Sequence, residues 1–494
     1  MEKKFEGEFM LTIDWLPNKK DQLPLYKQIF AYIKNKISTG QWPTHTKLPP
    51  QRELAIKLQV NRSTIRIALD ELIAEGLLES KTGSGIWVAN NTWSIITTEK
   101  KVNWNSYVSA GFYLPNLPFI QEINRLEFDE SLIRLGTGEL SPHLIPTNEL
   151  NTILKSLPAK IDSFGYEEPK GLLYLRQQIS KQLEKIGIFA SPASIMVVSG
   201  ALQALQLICF GLLPKDANIL LEKPSYLMSL KLFQSMNLNF SELPLDSEGI
   251  QIEPFIYQQK HKEHSLLYTI PTFHNPTGTL MSEKRRHELL SACQASRLPI
   301  LEDDVYRDLW LDAPPPPPLK ALDTNGSVIY IDSLSKAISA GLRIGWIVGP
   351  EPVIEKLADI KMQNDYGSSC LSQWTAAEWF ANGYHERHLQ TLRQELILRR
   401  SAASEILNQD FKNIATWTLP QGGFYIWLHL IKPISMHQLF KNALVEKILI
   451  NPGSIYDNLA NNHLRISYSY ADIADLKTGL TRLAKIIKRM NTDN

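Results

Sequence analysis

The chain has 494 residues, 44% apolar and 21% charged, with a net charge of +1 and three cysteines. That length exceeds what one hydrophobic core supports, so at least two domains are expected, the larger of mixed α/β type. Cys209, Cys293 and Cys370 are widely spaced, odd in number and in no metal-ligand pattern, which argues against a disulfide framework or a metal site and fits a reducing cytoplasm. The first twenty residues carry no signal-like apolar core, and no run approaches the roughly 18 apolar residues of a membrane helix, so a cytoplasmic protein without membrane contact is expected.

Residues 1–90 hold 13 Lys and Arg against 10 Asp and Glu, a modest excess that permits DNA binding. Leu25, Ile29, Phe30, Ile33 and Ile37 fall at helical spacing and stop at Gly40. A second helix is predicted from Gln51 to Leu58. After a turn at Val60-Asn61, a third helix, capped by Asn61 or Ser63, carries the apolar stripe Ile65, Leu69, Leu72 and Ile73, and Gly76 closes it. Arg62, Ser63, Thr64 and Arg66 then stand at the exposed start of that helix, where short polar groups meet phosphates and base edges and arginine binds guanine bidentately. "LLESKTGSGIWV" reads as two short strands joined by a turn from Lys81 to Gly85, a wing beside the recognition helix.

The stretches "KLPPQRELA", "VNRSTIRIAL" and "GSGIWV" make residues 24 to 88 resemble the GntR family of bacterial winged helix-turn-helix regulators. The resemblance implies DNA-contacting or backbone-positioning roles for Arg52, Arg62, Thr64, Arg66 and Gly85. Ser63 and Lys81 join them as expected DNA-binding residues.

Residues 91–130 form a connector too poor in Gly, Ser and Pro for a free tether. Its aromatics, Trp93, Trp104, Tyr107, Phe112 and Tyr113, are expected to seek burial, with the later part packed on the large domain.

From 131 to 494 strand-like runs such as "SIMVVSG", "NILLEKP", "LLYTIP" and "SVIYIDSLSK" alternate with helical stretches. This predicts a mainly parallel sheet covered by helices, with ligands at the carboxyl ends of the strands. Each chemically notable residue follows such a run. Pyridoxal phosphate needs a lysine amine for its aldehyde, a carboxylate for its pyridine nitrogen, donors for its ring oxygen and phosphate, and cover for its ring. Lys336 supplies the amine, while Ser333, Ser335 and Arg343 are placed for the phosphate. The N–H groups of Gly200, Ala201 and Leu202 in "SGALQAL" would cradle it. Asp303 in "LEDDVY" is the carboxylate for the pyridine nitrogen, with Glu302 and Asp304 as neighbours that would also serve. Tyr306 and Asn275 face the ring oxygen, and Tyr226 stacks on the ring. The five prolines at 314–318 read as a surface loop.

The set in this order resembles the class I aminotransferases of fold type I, an α/β fold, across residues 131 to about 490. By that resemblance Tyr166 in "YEEPKGLLYLR" crosses to the neighbouring subunit's phosphate, Arg465 in "HLRIS" grips a substrate α-carboxylate, and Gly138 lies in a substrate loop. Head and body together resemble the MocR subfamily of regulators. This implies a homodimer on a double-stranded DNA operator, sensing pyridoxal 5'-phosphate and/or an amino acid or amine effector through an aldimine at Lys336. The alternative is an active aminotransferase with a regulatory DNA-binding head, in which Lys336, Asp303 and Tyr306 are catalytic. A third reading is a head carried by a cofactor-free dimer scaffold.

Overall fold

The apolar spacing that begins at Leu25 folds as helix α1 (Leu25–Ser38), which buries Ile29, Ile33 and Ile37. The computed structural model of the protein describes residues 13–39, 41–44, 46–81, 85–89, 104–111, 113, 115–258 and 264–492. The chain divides into two compact units, residues 1–112 and 113–494.

In the first unit α2 (Gln51–Lys57) and α3 (Arg62–Ala74) pack against α1, and α3 buries Ile65, Ala68, Leu69 and Leu72. Asn61 occupies the cap position of α3, yet its side chain makes no capping bond, and Ser63 lies inside the helix. Ile65, Leu69 and Leu72 are each worth more than a cap of about 1 kcal/mol, since a fully buried aliphatic of this size contributes roughly 1.5–3 kcal/mol. Packing therefore holds α3 without the cap expected from sequence. Gly76, at φ +70°, ends it, with the Leu77 amide bonding back to the Leu72 carbonyl at 2.9 Å. Strands β1 (Leu78–Lys81) and β2 (Gly85–Val88) follow as an antiparallel pair, Leu78 opposite Val88 and Lys81 opposite Gly85. Residues 82–84 of the wing turn, Gly40, Trp93 and Phe112 lie outside the described residues.

The connector departs from expectation. Trp104 and Tyr107, on the short helix Trp104–Ala110, are 63% and 64% exposed. At i and i+3 of one helix they shield each other, ring centroids 5.6 Å apart, instead of entering a core. Tyr113 is also exposed, though its edge meets Phe210 at 6.2 Å. The helix Pro118–Leu126, within the second unit, does pack into its core, burying Ile120 and Ile123.

The strands of the second unit begin with β3 (Ile133–Arg134). Its main sheet comprises β4 (Ile195–Val198), β5 (Asn218–Lys223), β6 (Asn239–Asp246), β7 (Gly249–Ile250), β8 (Ser265–Thr269), β9 (Ile300–Asp303), β10 (Val328–Ser333) and β11 (Gly345–Val348). In space the order is β4-β11-β10-β9-β8-β5-β6-β7. The run from β10 to β6 is parallel, whereas β11 is antiparallel to both neighbours and β7 is a short antiparallel edge. Continuous burial along β4, β9 and β11 explains their unbroken apolar or acidic-apolar sequences, as in sheets covered on both faces. A second sheet holds β12 (Ala415–Trp417) and β13 (Tyr425–Leu430), then, beyond β14 (Ile448–Leu449), which pairs in parallel with β3, β15 (Asn451–Pro452) and β16 (His463–Ser467). Its order is β12-β13-β16-β15. Among the described residues no helix is long and apolar enough to cross a membrane, and no group of three His, Cys, Asp or Glu is disposed to hold a metal ion.

Candidate functional site

Strand alternation sorts the acidic triplet at the end of β9. Asp303 pairs in register with Ile331 of β10, so it shares a sheet face with Ser333, while Glu302 is turned to the opposite face with Tyr330 and Asp332. The opposite-face carboxylates are already engaged. Glu302 accepts from the Leu319 and Lys320 amides, each at 2.8 Å, and Asp304 is bonded by Arg307 and by the Tyr330 hydroxyl at 3.2 Å. Asp303 is 3% exposed; its Oδ2 accepts from Tyr268 Oη at 2.9 Å, and its Oδ1 has no partner. Burial pushes its pKa up to about 7, opposed by the bond from Tyr268.

Asp303 opens on a cavity of about 380 Å³ that also takes in Lys336, Ser333 and Ser335 from the end of β10, Asn275, Tyr306, Tyr226, Ala201, Leu202, Arg343, Gly138 and Arg465. The topology thus brings together twelve of the fourteen cofactor and substrate residues expected from sequence. Lys336 Nζ donates to the Gly138 carbonyl at 2.6 Å. A side chain at 138 would crowd the cavity, since its Cβ would sit 2.7 Å from Tyr425 Oη, which would have to shift, and 3.7 Å from Lys336 Nζ. Asn275 donates to Tyr306 Oη at 3.2 Å and accepts from Arg465 Nη1 at 2.9 Å.

Arg465 is 5% exposed and has no carboxylate within 4 Å among the described residues. Its second guanidinium nitrogen donates to the Gly136 carbonyl at 2.7 Å, Nε has no acceptor, and the rings of Tyr425 and Tyr456 lie 4.1 and 4.9 Å from its centre. Glu127, in the lining of the same cavity, acts on this cation only at longer range, so carbonyls and π faces are its direct partners and a further anion would stabilise it.

At the other end, Gly200 caps the helix Ala201–Leu212 at φ +84°, and a Cβ on it would fall 2.6 Å from Arg343 Nη2. Arg343 adopts φ +53°, a left-handed conformation uncommon outside glycine, and bonds the Ser199 carbonyl at 2.7 Å. Two donors differ from the sequence reading. The Gly200 amide is spent on the Val198 carbonyl at 2.9 Å, because the tight turn folds it back, which leaves Ala201 and Leu202 as the helix-start donors. The Ser333 hydroxyl is drawn to the Ile344 carbonyl, just before the adjoining strand β11, at 2.8 Å and lies 2.9 Å from Ser335 Oγ.

Tyr166 lies outside this cavity, 82% exposed and tilted against Tyr366. Sequence reasoning missed Tyr268, Tyr425, Tyr456 and Asn451, which sit in no local motif. It also missed Ile120, Ile123 and Asn124, whose helical spacing along Pro118–Leu126 is legible, and the flanking Asn116 and Glu127, all of which line the same cavity.

In the first unit Arg52, Arg62, Ser63, Arg66, Lys81 and Gly85 are exposed and Thr64 is half-buried. Arg62, Ser63 and Thr64 form the first turn of α3. Lys81 pairs with Glu79 at 2.9 Å and, like Lys47, stands over the Trp87 ring.

Comparison with known proteins divides the chain along the same lines. Residues 130–483 match the family model for aminotransferase class I and II, and residues 25–88 match that for bacterial regulatory proteins of the gntR family. The chain is 49% identical to the uncharacterized HTH-type transcriptional regulator YisV of Bacillus subtilis, over 97% of this chain and 99% of that one. It is 36% identical to the HTH-type transcriptional regulator NorG of Staphylococcus aureus, over 90% of this chain and the whole of that one. Among solved structures, the kynurenine aminotransferase of Pyrococcus horikoshii, crystallised in complex with PMP, is similar with a TM-score of 0.71 and 31% identity, over 76% of this chain and 95% of that one.

Proposed function

The chain belongs to the MocR-type transcriptional regulators, in which a gntR-family head precedes a class I and II aminotransferase domain, and we propose that it binds pyridoxal phosphate and reads an amino compound there to control a DNA operator. The observation that carries this reading is the buried Asp303 carboxylate, which lines the same cavity as the Lys336 amine and has one oxygen, Oδ1, without a partner. An unpaired buried carboxylate oxygen is costly, and a pyridinium N–H is the kind of donor that relieves it.

The remaining residues fit the same group. Ala201 and Leu202 amides, Arg343 and Ser335 suit its phosphate, Tyr306 and Asn275 its ring oxygen, and Tyr226 its ring face. When bound, pyridoxal phosphate supplies an aldehyde that exchanges between the lysine and an incoming amine. Lys336, whose Nζ donates to the Gly138 carbonyl in the cofactor-free site, would be the amine that holds the aldehyde and is set free when the newcomer replaces it, and Arg465 would orient that newcomer by its carboxylate. Asp303 keeps negative charge at the pyridine end of the site, and Tyr268 steadies it.

In this reading the protein works in the cytoplasm as a homodimer, with Tyr166 reaching the neighbouring subunit's site. Arg52, Arg62, Ser63, Thr64, Arg66, Lys81 and Gly85 meet the operator. Regulation requires the ligand to bind the DNA-competent and DNA-incompetent states with different affinity. Turnover as an aminotransferase is the second reading, favoured by the likeness to the kynurenine aminotransferase and by a lysine amine that lines the cavity.

Absorbance of the full chain titrated with pyridoxal phosphate tests the reading. A visible band is expected in the parent and is lost in Lys336→Ala. No band in the parent would return the body to a cofactor-free scaffold.

A further inference from the structure

The alternation that sends Ser333 into the first cavity sends Asp332 to the opposite face of the sheet. There a second cavity of about 650 Å³ opens, walled by Trp310, Trp346, Phe380, Pro314, Pro315 and Pro317. Glu302 and Asp304 share Asp332's face, and each has an arginine: Arg286 lies 3.6 Å from Glu302, and Arg307 bonds Asp304. Asp332 has none. It accepts from the Ser333 amide at 2.6 Å and from Tyr330 Oη at 3.5 Å, with no cation within 4 Å among the described residues. Asp332 is half-buried by accessible surface, and its desolvation, with Asp308 and Asp304 nearby, pushes its pKa above the usual carboxylate range.

Trp346 stands opposite Asp332 in the antiparallel register of β10 and β11, so the two side chains are neighbours on one face. Trp346 is 5% exposed, and its indole N–H has no acceptor. The cations of the wall are already engaged. Lys185 is bonded to Glu386, Arg307 to Asp304 and His385 to Asp308, and Arg393 bonds the Asp308 carbonyl while lying 4.0 Å from the Trp310 ring centre. What the cavity lacks is therefore one positive donor for Asp332 and one acceptor for Trp346, in a half-open hollow lined by aromatic rings and prolines.

We propose that this cavity is a second small-molecule site, distinct from the one at Lys336, which takes a largely apolar organic cation bearing a hydrogen-bond acceptor. The cationic N–H donates to Asp332, the acceptor receives the Trp346 indole, and the apolar body packs on Trp310, Phe380 and the proline loop. Because β10 runs from Asp332 directly into the Ser333–Lys336 turn, an occupant here touches the strand that carries the lysine.

The test uses the full chain loaded with pyridoxal phosphate and the probe para-methoxy-N,N-dimethylbenzylamine, a tertiary amine unable to condense with an aldehyde. Titration calorimetry compares it with neutral para-isopropylanisole and anionic para-methoxybenzoate. The cation is expected to bind at least about tenfold tighter than either comparator, and Asp332→Asn should erase that preference. Trp346→Phe should weaken the cation several-fold and independently, which keeps the proposal falsifiable if Asp332→Asn does not fold. Equal binding of the three compounds, a preference for the anion, or a cation affinity untouched by Trp346→Phe would overturn the site, whatever happens at Lys336.

Discussion

Lys336 Nζ donates to the carbonyl of Gly138 at 2.6 Å, joining residues 198 positions apart in the chain. The bond ties the end of β10 to the segment after β3, so any ligand that engages the lysine also releases the glycine carbonyl. The backbone at 138 lies against Tyr425, whose hydroxyl would have to shift to admit a Cβ. Gly138→Ala therefore overpacks the cavity and is expected to weaken amino-compound binding by roughly 1–3 kcal/mol while the head still binds DNA. Absorbance titration with amino acids checks the first half and gel shift the second; unchanged ligand affinity would contradict the packing argument.

Asp303 makes stability depend on pH in the cofactor-free chain. Its folded pKa is raised to about 7 from an ordinary 3.8, so the neutral form is favoured by folding. The stability this brings is fully present below the unfolded pKa and is lost as pH rises through the folded one. Asp303→Asn removes the titration. The cofactor-free variant should be more stable than the parent at pH 8, by on the order of 2 kcal/mol, and the gap should shrink toward pH 4. Its pyridoxal phosphate affinity should fall at the same time. Thermal unfolding across that range, paired with cofactor titration, reads both effects.

Gly200→Ala tests the phosphate end. The position combines φ +84° with a Cβ site 2.6 Å from Arg343 Nη2, so an alanine must displace either the turn or the guanidinium. Cofactor affinity is expected to drop by about tenfold or more, and inorganic phosphate should then compete less well with the cofactor.

The head is predicted to be separable in energy from the body. Arg62, exposed at the first position of α3, is expected to cost specific operator binding about 1–3 kcal/mol when changed to Ala. The cofactor absorbance should be unaltered. Loss of both properties together would contradict separability.

How far the sequence can be read depends on the range of the interaction. The apolar stripe of α3 and the alternation of the large unit are local periodicities, and both fold as read. The choice among Glu302, Asp303 and Asp304 was open in the string, because three adjacent carboxylates look alike until the register with β10 assigns each a face. Tyr425 and Tyr456 were invisible because Arg465 meets them through the pairing of β13, β15 and β16, a relation between distant segments. The Gly200 amide was misjudged because helix-start donors are counted by position, whereas the turn spends this one locally. The connector aromatics failed for a related reason, since Trp104 and Tyr107 cover each other on a short helix.

The most direct test of the account is operator affinity of the cofactor-loaded full chain, measured while titrating an amino compound that changes its absorbance. The account predicts a shift in operator Kd of about 5- to 150-fold over the same concentrations that change the spectrum, and no shift in Lys336→Ala. An operator Kd that stays constant while the absorbance changes and a keto acid accumulates would contradict it.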